Sequence, residues 1–307
     1  MDYSVIFPTC NRDKELARAM ASLLKQTVPA REIIVIDQSD SDRTQVLIEG
    51  IEKEQAEAGG KVKLLYVHRQ EKSSARARNR GIELAEGDII SFLDDDVVLF
   101  EDYYEVVLKR FASDPTVGGV GGGIIRNDAP RTWKWPLRKL LFRALLISDF
   151  KGGITPSGFG FPIHDGDVDR EMEVECFCGS NMSFRRELVK ANPFDTWFTG
   201  YSYREDVDFS YRISREAKLL LTPSARLEHL HSPSNRMKVR DAKAMEMANH
   251  FYVYKKLVRK SVINDVLFLY SAAGMIGIAA VELLSQRQPE SLERIKGYAS
   301  GLLSALR

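Results

Sequence analysis

Three clusters of acidic side chains stand out in the sequence, because carboxylates grouped in this way can bind a cation or accept a proton. The clusters are Asp37 with Asp40 and Asp42, the triplet Asp94, Asp95 and Asp96, and Glu205 with Asp206 and Asp208. Adjacent carboxylates repel one another, and a hard divalent cation that keeps positions for phosphate oxygens relieves that repulsion. The triplet therefore indicates an Mg²⁺ or Mn²⁺ site for a phosphorylated ligand, and a solvated acidic turn is the alternative interpretation.

The third cluster follows an aromatic stretch over residues 194–201 and opens a predicted helix. The N–H groups in the first turn of a helix stabilise carboxylates, so simple capping would explain Glu205 and Asp206. The same carboxylates could instead act as a general base and take the proton from an attacking hydroxyl group. The local sequence leaves both interpretations open.

The elements that must position these clusters follow from the hydrophobic pattern. Short apolar runs alternate with helical spacing in the first half of the chain, which predicts βαβ units and a mostly parallel sheet. Strands are predicted over residues 3–7, 33–36, 62–67 and 88–93, and helices over residues 13–26, 44–58, 74–86 and 102–112. In an open parallel sheet, ligands bind outside the carboxyl ends of the strands. Because Asp37 and Asp94 directly follow two predicted strands, we expect the first two clusters at that edge.

The pattern becomes less regular after Gly118. A glycine run over residues 118–123 predicts a strand or turn where backbones approach closely. Residues 151–166 are rich in Gly and Pro and predict a long mobile loop. The residues beyond Ser232 have helical spacing, so the sequence predicts a catalytic domain over residues 1–231 and a helical extension over residues 232–307.

Composition excludes several classes of protein. The 44% of hydrophobic and 28% of charged residues are typical of folded domains. A net charge of +1 argues against a nucleic-acid binder driven by bulk charge. The three cysteines do not have the spacing of a zinc site. The first residues predict a strand and lack the basic and apolar pattern of a signal peptide. We therefore expect a cytoplasmic protein.

Six blocks of sequence, in the same order, resemble those of the family 2 glycosyltransferases. They are Phe7-Pro8-Thr9-Cys10-Asn11-Arg12, Ile34-Val35-Ile36-Asp37, Ala77-Arg78-Asn79-Arg80-Gly81, Phe92-Leu93-Asp94-Asp95-Asp96, residues 179–185, and Glu205-Asp206-Val207-Asp208-Phe209. The resemblance implies a GT-A fold, which is a Rossmann-like, mixed and mostly parallel sheet with flanking helices. It also implies transfer of a sugar from a nucleoside-diphosphate sugar to an acceptor hydroxyl, with inversion at the anomeric carbon.

The resemblance further implies roles for single residues. Residues expected to bind the nucleotide sugar are Pro8, Thr9, Arg12, Asp37, Arg78, Asp94 and Asp95, with Asp37 on the nucleobase. Asp96 and Asp94 match the acidic positions of the family's D-x-D motif, which indicates a metal site. Asp206 matches the family's catalytic base, and Glu205 is its neighbour.

Two histidines near the predicted site raise a further possibility. His229 and His231 follow a predicted strand over residues 219–222, and related enzymes often carry a histidine here that approaches the metal. We therefore include His229 as a metal ligand, with an ordinary packed histidine as the alternative.

Other features of the sequence narrow the activity. The Gln-x-x-Arg-Trp motif and the several membrane spans of processive synthases are missing, which predicts addition of a single sugar. The acceptor could belong to glycan, exopolysaccharide or lipid-linked saccharide synthesis, and the nucleobase could be uracil, thymine or guanine. One rival is a sugar nucleotidyltransferase, but the segment from Pro8 to Arg12 lacks the glycine-rich loop of that class. The other is an inactive carbohydrate-binding protein with the same fold, which would have no need of all three acidic clusters.

Two basic, apolar segments predict contact with a membrane. Residues 131–147 combine five basic residues with an apolar face, which suits a helix at a bilayer surface. In residues 254–284, lysines and arginines precede an uncharged run over residues 266–281. That run is short against the ~20 apolar residues of a transmembrane helix. We expect peripheral attachment to the inner face of the cell membrane. The alternatives are packing of both segments within the protein and a transmembrane span over residues 266–281.

Overall fold

The computed structural model describes residues 1–125, 135–163, 168–231, 237–286 and 289–306, which form two compact units. The first unit comprises Met1–Asp128, Ile163–Ser202 and Phe209–Asn235, and the second comprises Ala129–Pro162, Tyr203–Asp208 and Arg236–Arg307. The predicted boundary near Ser232 lies at residues 232–236, outside the described residues. The division into residues 1–231 and 232–307 stays a prediction.

A mixed sheet forms the centre of the first unit. Its strands within the described residues are β1 (Tyr3–Thr9), β2 (Glu32–Asp37), β3 (Lys63–His68), β4 (Ile89–Leu93), β5 (Val97–Leu99), β6 (Val117–Ile125), β7 (Met172–Val174), β8 (Asn181–Arg185) and β9 (Lys218–His229). Their spatial order is β3-β2-β1-β4-β8-β6-β9-β5, and β7 pairs with β9. Strands β1 to β4 run parallel, whereas β8 is antiparallel to both of its neighbours.

Ten helices surround the sheet or build the second unit within the described residues. They are α1 (Asp13–Leu23), α2 (Arg43–Glu57), α3 (Ser74–Leu84), α4 (Tyr103–Ser113), α5 (Trp135–Ala144), α6 (Arg186–Ala191), α7 (Glu205–Ser214), α8 (Val239–Leu257), α9 (Val262–Gln286) and α10 (Pro289–Ala305). Every residue of β2 and β4 is buried, as expected for parallel strands covered on both faces. The predicted strands and helices of the first half are therefore confirmed, with ends that move by at most three residues.

The later strands differ from the prediction. The glycine run lies within β6, where a Cβ on Gly122 would lie 2.6 Å from the Ala225 carbonyl oxygen, so the expected close approach of backbones is confirmed. Strand β9 does not end at Thr222 but continues to His229. Between Thr222 and Arg226 its register against β6 shifts, and Pro223 lies in that irregularity, where a proline is tolerated.

Helices pack around an apolar core in the second unit. Met247 and Tyr254 of α8, Phe268 and Ala272 of α9, and Tyr298 of α10 are buried together. A Cβ on Gly301 would lie 2.2 Å from the Ala244 carbonyl oxygen, so only glycine allows α10 to approach α8 so closely.

The segment predicted as a mobile loop belongs to this core in its described part. Phe159 and Ser157 are fully buried, and the hydroxyl groups of Thr155 and Ser157 donate to the Leu146 carbonyl oxygen. Most of the described residues 151–163 are thus buried, with Lys151 and Pro156 exposed, so this loop packs against the core. Its mobility stays a prediction. Residues 164–166 lie outside the described residues.

Helix α9 is longer than the sequence analysis expected. Val262–Ser285 has a mean hydropathy of 1.9 and is long and apolar enough to cross a membrane, while 28% of its apolar window is buried within the protein. The length argument against a span was therefore wrong, because Asp265 and Glu282 lie inside the helix and do not end it. A core helix of a soluble protein passes the same test, so membrane attachment stays a prediction. Residues 131–134 of the other basic segment lie outside the described residues.

Candidate functional site

The carboxyl ends of β1, β2 and β4 bring the first two acidic clusters to one edge of the sheet. Thr9 at the end of β1 pairs in register with Asp37 at the end of β2. The triplet Asp94, Asp95 and Asp96 follows β4, the other neighbour of β1. This edge is where open parallel sheets bind ligands.

The extended strand β9 adds a histidine to the triplet. His229 pairs with Val97, and the Leu230 N–H donates to the Asp96 carbonyl oxygen at 2.9 Å. The ligand atoms of Asp94, Asp96 and His229 all lie within 4.8 Å of one another. The structure thus brings together the three residues that the sequence analysis proposed as metal ligands.

The chemistry of this donor set fits a divalent cation. Two carboxylates suit Mg²⁺ or Mn²⁺, and an imidazole adds a nitrogen ligand of the kind that transition metals accept. His229 Nε2 lies 3.1 Å from Asp96 Oδ1, so the imidazole is already oriented towards the carboxylate. The set therefore fits Mn²⁺ or Mg²⁺, the two cations expected from the sequence.

Arg12 forms ion pairs with two members of the triplet. Its Nη1 lies 2.8 Å from Asp95 Oδ1, and its Nη2 lies 2.8 Å from Asp96 Oδ2. Burial would raise the pKa of Asp96, but the hydrogen bond and charge of His229, together with Arg12, outweigh burial and lower it below the ordinary value. Asp96 therefore stays ionised, as a metal ligand must.

Asp95 points into the protein. Its side chain is 4% exposed, and its Oδ2 accepts a hydrogen bond from the Thr9 hydroxyl at 2.7 Å. Burial raises the pKa of Asp95 to about 7, while Arg12 and Thr9 act in the opposite direction. Asp95 therefore contacts both Thr9 and Arg12. That Asp95 and Thr9 bind the nucleotide sugar stays a prediction.

Asp37 is fully buried and already bonded on both carboxylate oxygens. Oδ1 accepts from the backbone N–H and the hydroxyl of Ser39, at 2.9 and 2.5 Å, and Oδ2 accepts from the Tyr66 hydroxyl at 2.9 Å. A carboxylate oxygen can accept two hydrogen bonds, so Oδ2 keeps one position beside the Tyr66 hydroxyl, and contact of Asp37 with a nucleobase stays a prediction. The only signal for Tyr66 in the sequence was the pairing of its strand with the one that ends in Asp37.

Arg78 is buried beside the triplet. It is 3% exposed, and its Nη2 lies 3.3 Å from both Asp94 Oδ1 and the Gly179 carbonyl oxygen. Its guanidinium carbon lies 5.5 Å from the centre of the Phe194 ring. Arg78 thus does not form an ordinary surface ion pair.

Pro8, another expected ligand-binding residue, is half-buried in β1 and pairs with Ile36.

Glu205 and Asp206 form the first turn of α7 and belong to the second unit. Glu205 is 7% exposed, and Asp206 Oδ1 accepts from the Val207 N–H at 2.8 Å. The predicted helix start is therefore confirmed. That these two residues act together with the triplet stays a prediction.

The chain belongs to glycosyl transferase family 2, whose model matches residues 4–192. It is 24% identical over 295 residues to validoxylamine A glucosyltransferase of Streptomyces hygroscopicus subsp. limoneus, a match that covers 92% of this chain and 62% of that protein. It is 29% identical over 107 residues to GalNAc(5)-diNAcBac-PP-undecaprenol beta-1,3-glucosyltransferase of Campylobacter jejuni, covering 35% of this chain and 33% of that protein. The chain thus spans less than two thirds of the length of these relatives.

Two solved structures resemble the protein. The mannosyltransferase PcManGT from Pyrobaculum calidifontis, in complex with GDP-Man and Mn²⁺, aligns with a TM-score of 0.61 at 18% identity, covering 99% of this chain and 86% of that one. Residues 1–349 of TarS from S. aureus align with a TM-score of 0.56 at 14% identity, covering 98% and 81%. The fold expected from the six sequence blocks is therefore confirmed as the GT-A fold.

Proposed function

We propose that the protein is an inverting, metal-dependent and non-processive glycosyltransferase that uses a nucleoside-diphosphate sugar. The observation that carries the proposal is the group Asp94, Asp96 and His229 at the carboxyl edge of the sheet in a family 2 chain. These residues would hold Mn²⁺ or Mg²⁺, which supplies positive charge for the diphosphate leaving group when bound.

The protein's own cations support the same assignment. Arg78 lies against Asp94 and brings a permanent positive charge to the donor edge. Fixed positive charge next to a departing diphosphate stabilises the transition state more than the ground state. Arg12, which we expect to bind the nucleotide sugar, also holds Asp95 and Asp96 in place through its two ion pairs.

Asp206 is the proposed general base. Its Oδ2 would accept the proton of the acceptor hydroxyl while that oxygen attacks the anomeric carbon from the face opposite the diphosphate. The support is the match of the Glu205-Asp206 block to the family and its position in the first turn of α7.

The acceptor is a saccharide, either free or linked to a lipid. The name of the Campylobacter relative includes an undecaprenol-linked saccharide, which supports the lipid-linked class. Leu137, Leu140 and Leu141 of α5 are exposed beside Arg138, Lys139 and Arg143, which supports contact with an anionic membrane surface. We therefore propose a cytoplasmic enzyme that attaches to the inner face of the membrane.

A donor screen tests the proposed function. The protein is incubated with Mn²⁺ and UDP-glucose, dTDP-glucose or GDP-mannose, and separately with nucleoside triphosphates and sugar 1-phosphates. Release of nucleoside diphosphate from one donor supports a glycosyltransferase, whereas pyrophosphate release in the second arm would mark a nucleotidyltransferase. Binding of a sugar without turnover in either arm would mark an inactive carbohydrate-binding protein.

A further inference from the structure

The segment Tyr203–Asp208, which carries the proposed base, has an unusual backbone. Arg204 has a φ of 76°, in the left-handed region that residues other than glycine rarely adopt. Helix α7 begins directly after it, and the Asp208 N–H donates to the Arg204 carbonyl oxygen at 3.0 Å. Such a conformation persists only where surrounding contacts enforce it.

Arg204 is fixed from three directions within the second unit. Its Nη2 lies 3.1 Å from Glu246 Oε1 of α8, and its Nη1 donates to the Gly160 carbonyl oxygen at 3.1 Å. The guanidinium carbon lies 4.0 Å from the centre of the Phe161 ring. Glu246 is itself held by Lys243, whose Nζ lies 2.7 Å from Glu246 Oε2. The residue before Glu205 is thus anchored to α8.

Helix α8 holds the segment at two further points. Lys256 Nζ lies 2.7 Å from Oδ1 of Asp208, which is fully buried. The Asn249 side-chain amide donates to the Tyr203 carbonyl oxygen at 2.5 Å. These contacts bind the chain on both sides of Glu205 and Asp206.

The three residues of α8 that make these contacts share one face of the helix. Glu246, Asn249 and Lys256 follow the spacing i, i+3 and i+10, which places side chains along one side. A general base acts only from within hydrogen-bonding distance of the proton it takes, and small displacements are costly. A helix that contacts the chain on both sides of Glu205 and Asp206 therefore limits the movement of Asp206.

Building on the proposed function, we propose that α8 positions the catalytic turn and that Glu246 and Lys256 are positioning residues for Asp206. Asn249, Glu246 and Lys256 contact Tyr203, Arg204 and Asp208, and they would influence catalysis through these three residues. Loss of one contact therefore lowers the rate of transfer and leaves donor binding intact.

Adjacent lysines provide a matched test. Lys256→Met cuts the link to Asp208, whereas Lys255→Met cuts a link of 2.8 Å to Asp265 of α9 and removes the same charge from the same stretch. We expect Lys256→Met to lower kcat about 10- to 100-fold, with the KM for UDP-glucose, dTDP-glucose or GDP-mannose within about twofold. Lys255→Met keeps the wild-type kcat, and Lys256→Arg restores most of the rate.

Two controls separate positioning from general stability. Glu246→Gln keeps an acceptor for Arg204 and is expected to lower kcat less than Glu246→Ala, with the Tm of Glu246→Gln within a few degrees of wild type. Equal kcat values for Lys256→Met and Lys255→Met would overturn the proposal. A rate loss that tracks Tm in all variants would also overturn it.

Hydrogen exchange distinguishes failure of this proposal from failure of the proposed function. Peptides that cover residues 203–208 are expected to exchange faster in Lys256→Met than in Lys255→Met or the wild type. If no donor is turned over by the wild type, the proposed function fails, and this comparison alone decides whether α8 holds the turn. Equal exchange in both variants would refute the positioning role.

Discussion

Acid is expected to destabilise the second unit through His250, a histidine of α8 that folding keeps uncharged. Its side chain is 2% exposed, and its ring stacks on Phe159 with 4.3 Å between ring centres. Burial lowers the pKa of His250 well below 6.5, and the positive charges of Arg204 and Lys243 lower it further. The Glu246 carboxylate, 4.0 Å from Nε2, opposes these effects without reversing them.

The sign and the size of the effect follow from proton binding. In the unfolded chain a histidine titrates near pH 6.5, so at lower pH the unfolded state binds a proton that the folded state does not. The free energy of unfolding therefore falls as the pH drops below 6.5, by at most about 1.4 kcal/mol per pH unit. From pH 6.5 to pH 5.0 the loss is at most about 1.7 kcal/mol, because the unfolded histidine is already half-protonated at pH 6.5. Glu246, whose pKa is lowered by Arg204 and Lys243 against the effect of burial, adds a further loss only below about pH 4.5.

Urea unfolding at pH 7.5, 6.5, 5.8 and 5.0, followed by circular dichroism, measures this slope. We expect His250→Gln to flatten the slope between pH 6.5 and 5.0, whatever its own stability, because the amide does not titrate. His68→Gln, at a histidine of β3, is the control for the substitution itself. If His250→Gln and the wild type lost stability in parallel, the buried neutral histidine would not be the cause.

Three further outcomes are expected. EDTA should abolish turnover of the wild type, and added Mn²⁺ should restore it. Asp96→Asn should lose at least about 100-fold in rate at saturating metal while its circular dichroism spectrum stays that of the wild type. Full activity in EDTA would contradict the metal role. Asp206→Asn should bind donor nearly normally and transfer sugar about 10²–10⁴-fold more slowly, and an equal loss of affinity would make Asp206 a binding residue. Co-sedimentation with vesicles should need anionic lipid and weaken at high salt, and changing Leu137, Leu140 and Leu141 to Ser should reduce it further. Release by detergent alone would indicate that α9 spans the bilayer.

The first half of the fold was predictable because its strands and helices follow from the hydrophobic pattern of residues that are close in sequence. Strands such as β2 are buried on both faces and appear as unbroken apolar runs, and α1 carries apolar residues at helical spacing. The order of strand and helix then placed Asp37 and Asp94 at the same edge. The resemblance to a family added roles that no local pattern contains.

The remaining features depend on contacts between distant parts of the chain. Tyr66 bonds to Asp37 across 29 residues, and the pairing of β3 with β2 brings the two strands together without specifying that bond. His229 was expected beyond the end of a strand, but β9 resumes after an irregularity near Pro223 that periodicity does not reveal. A Gly- and Pro-rich composition suggested a mobile loop over residues 151–166, and it gave no sign that Phe159, in the described part of that loop, is buried in the core.

The interleaving of the two units sets a lower limit on the length of chain that can fold. A fragment that ended before α8 would keep all six family blocks but would lose Glu246 and Lys256, the partners of Arg204 and Asp208. The family match, residues 4–192, ends even before β9, the strand between β6 and β5 in the sheet. The span over which a sequence is recognisable is therefore shorter than the span whose contacts complete the fold.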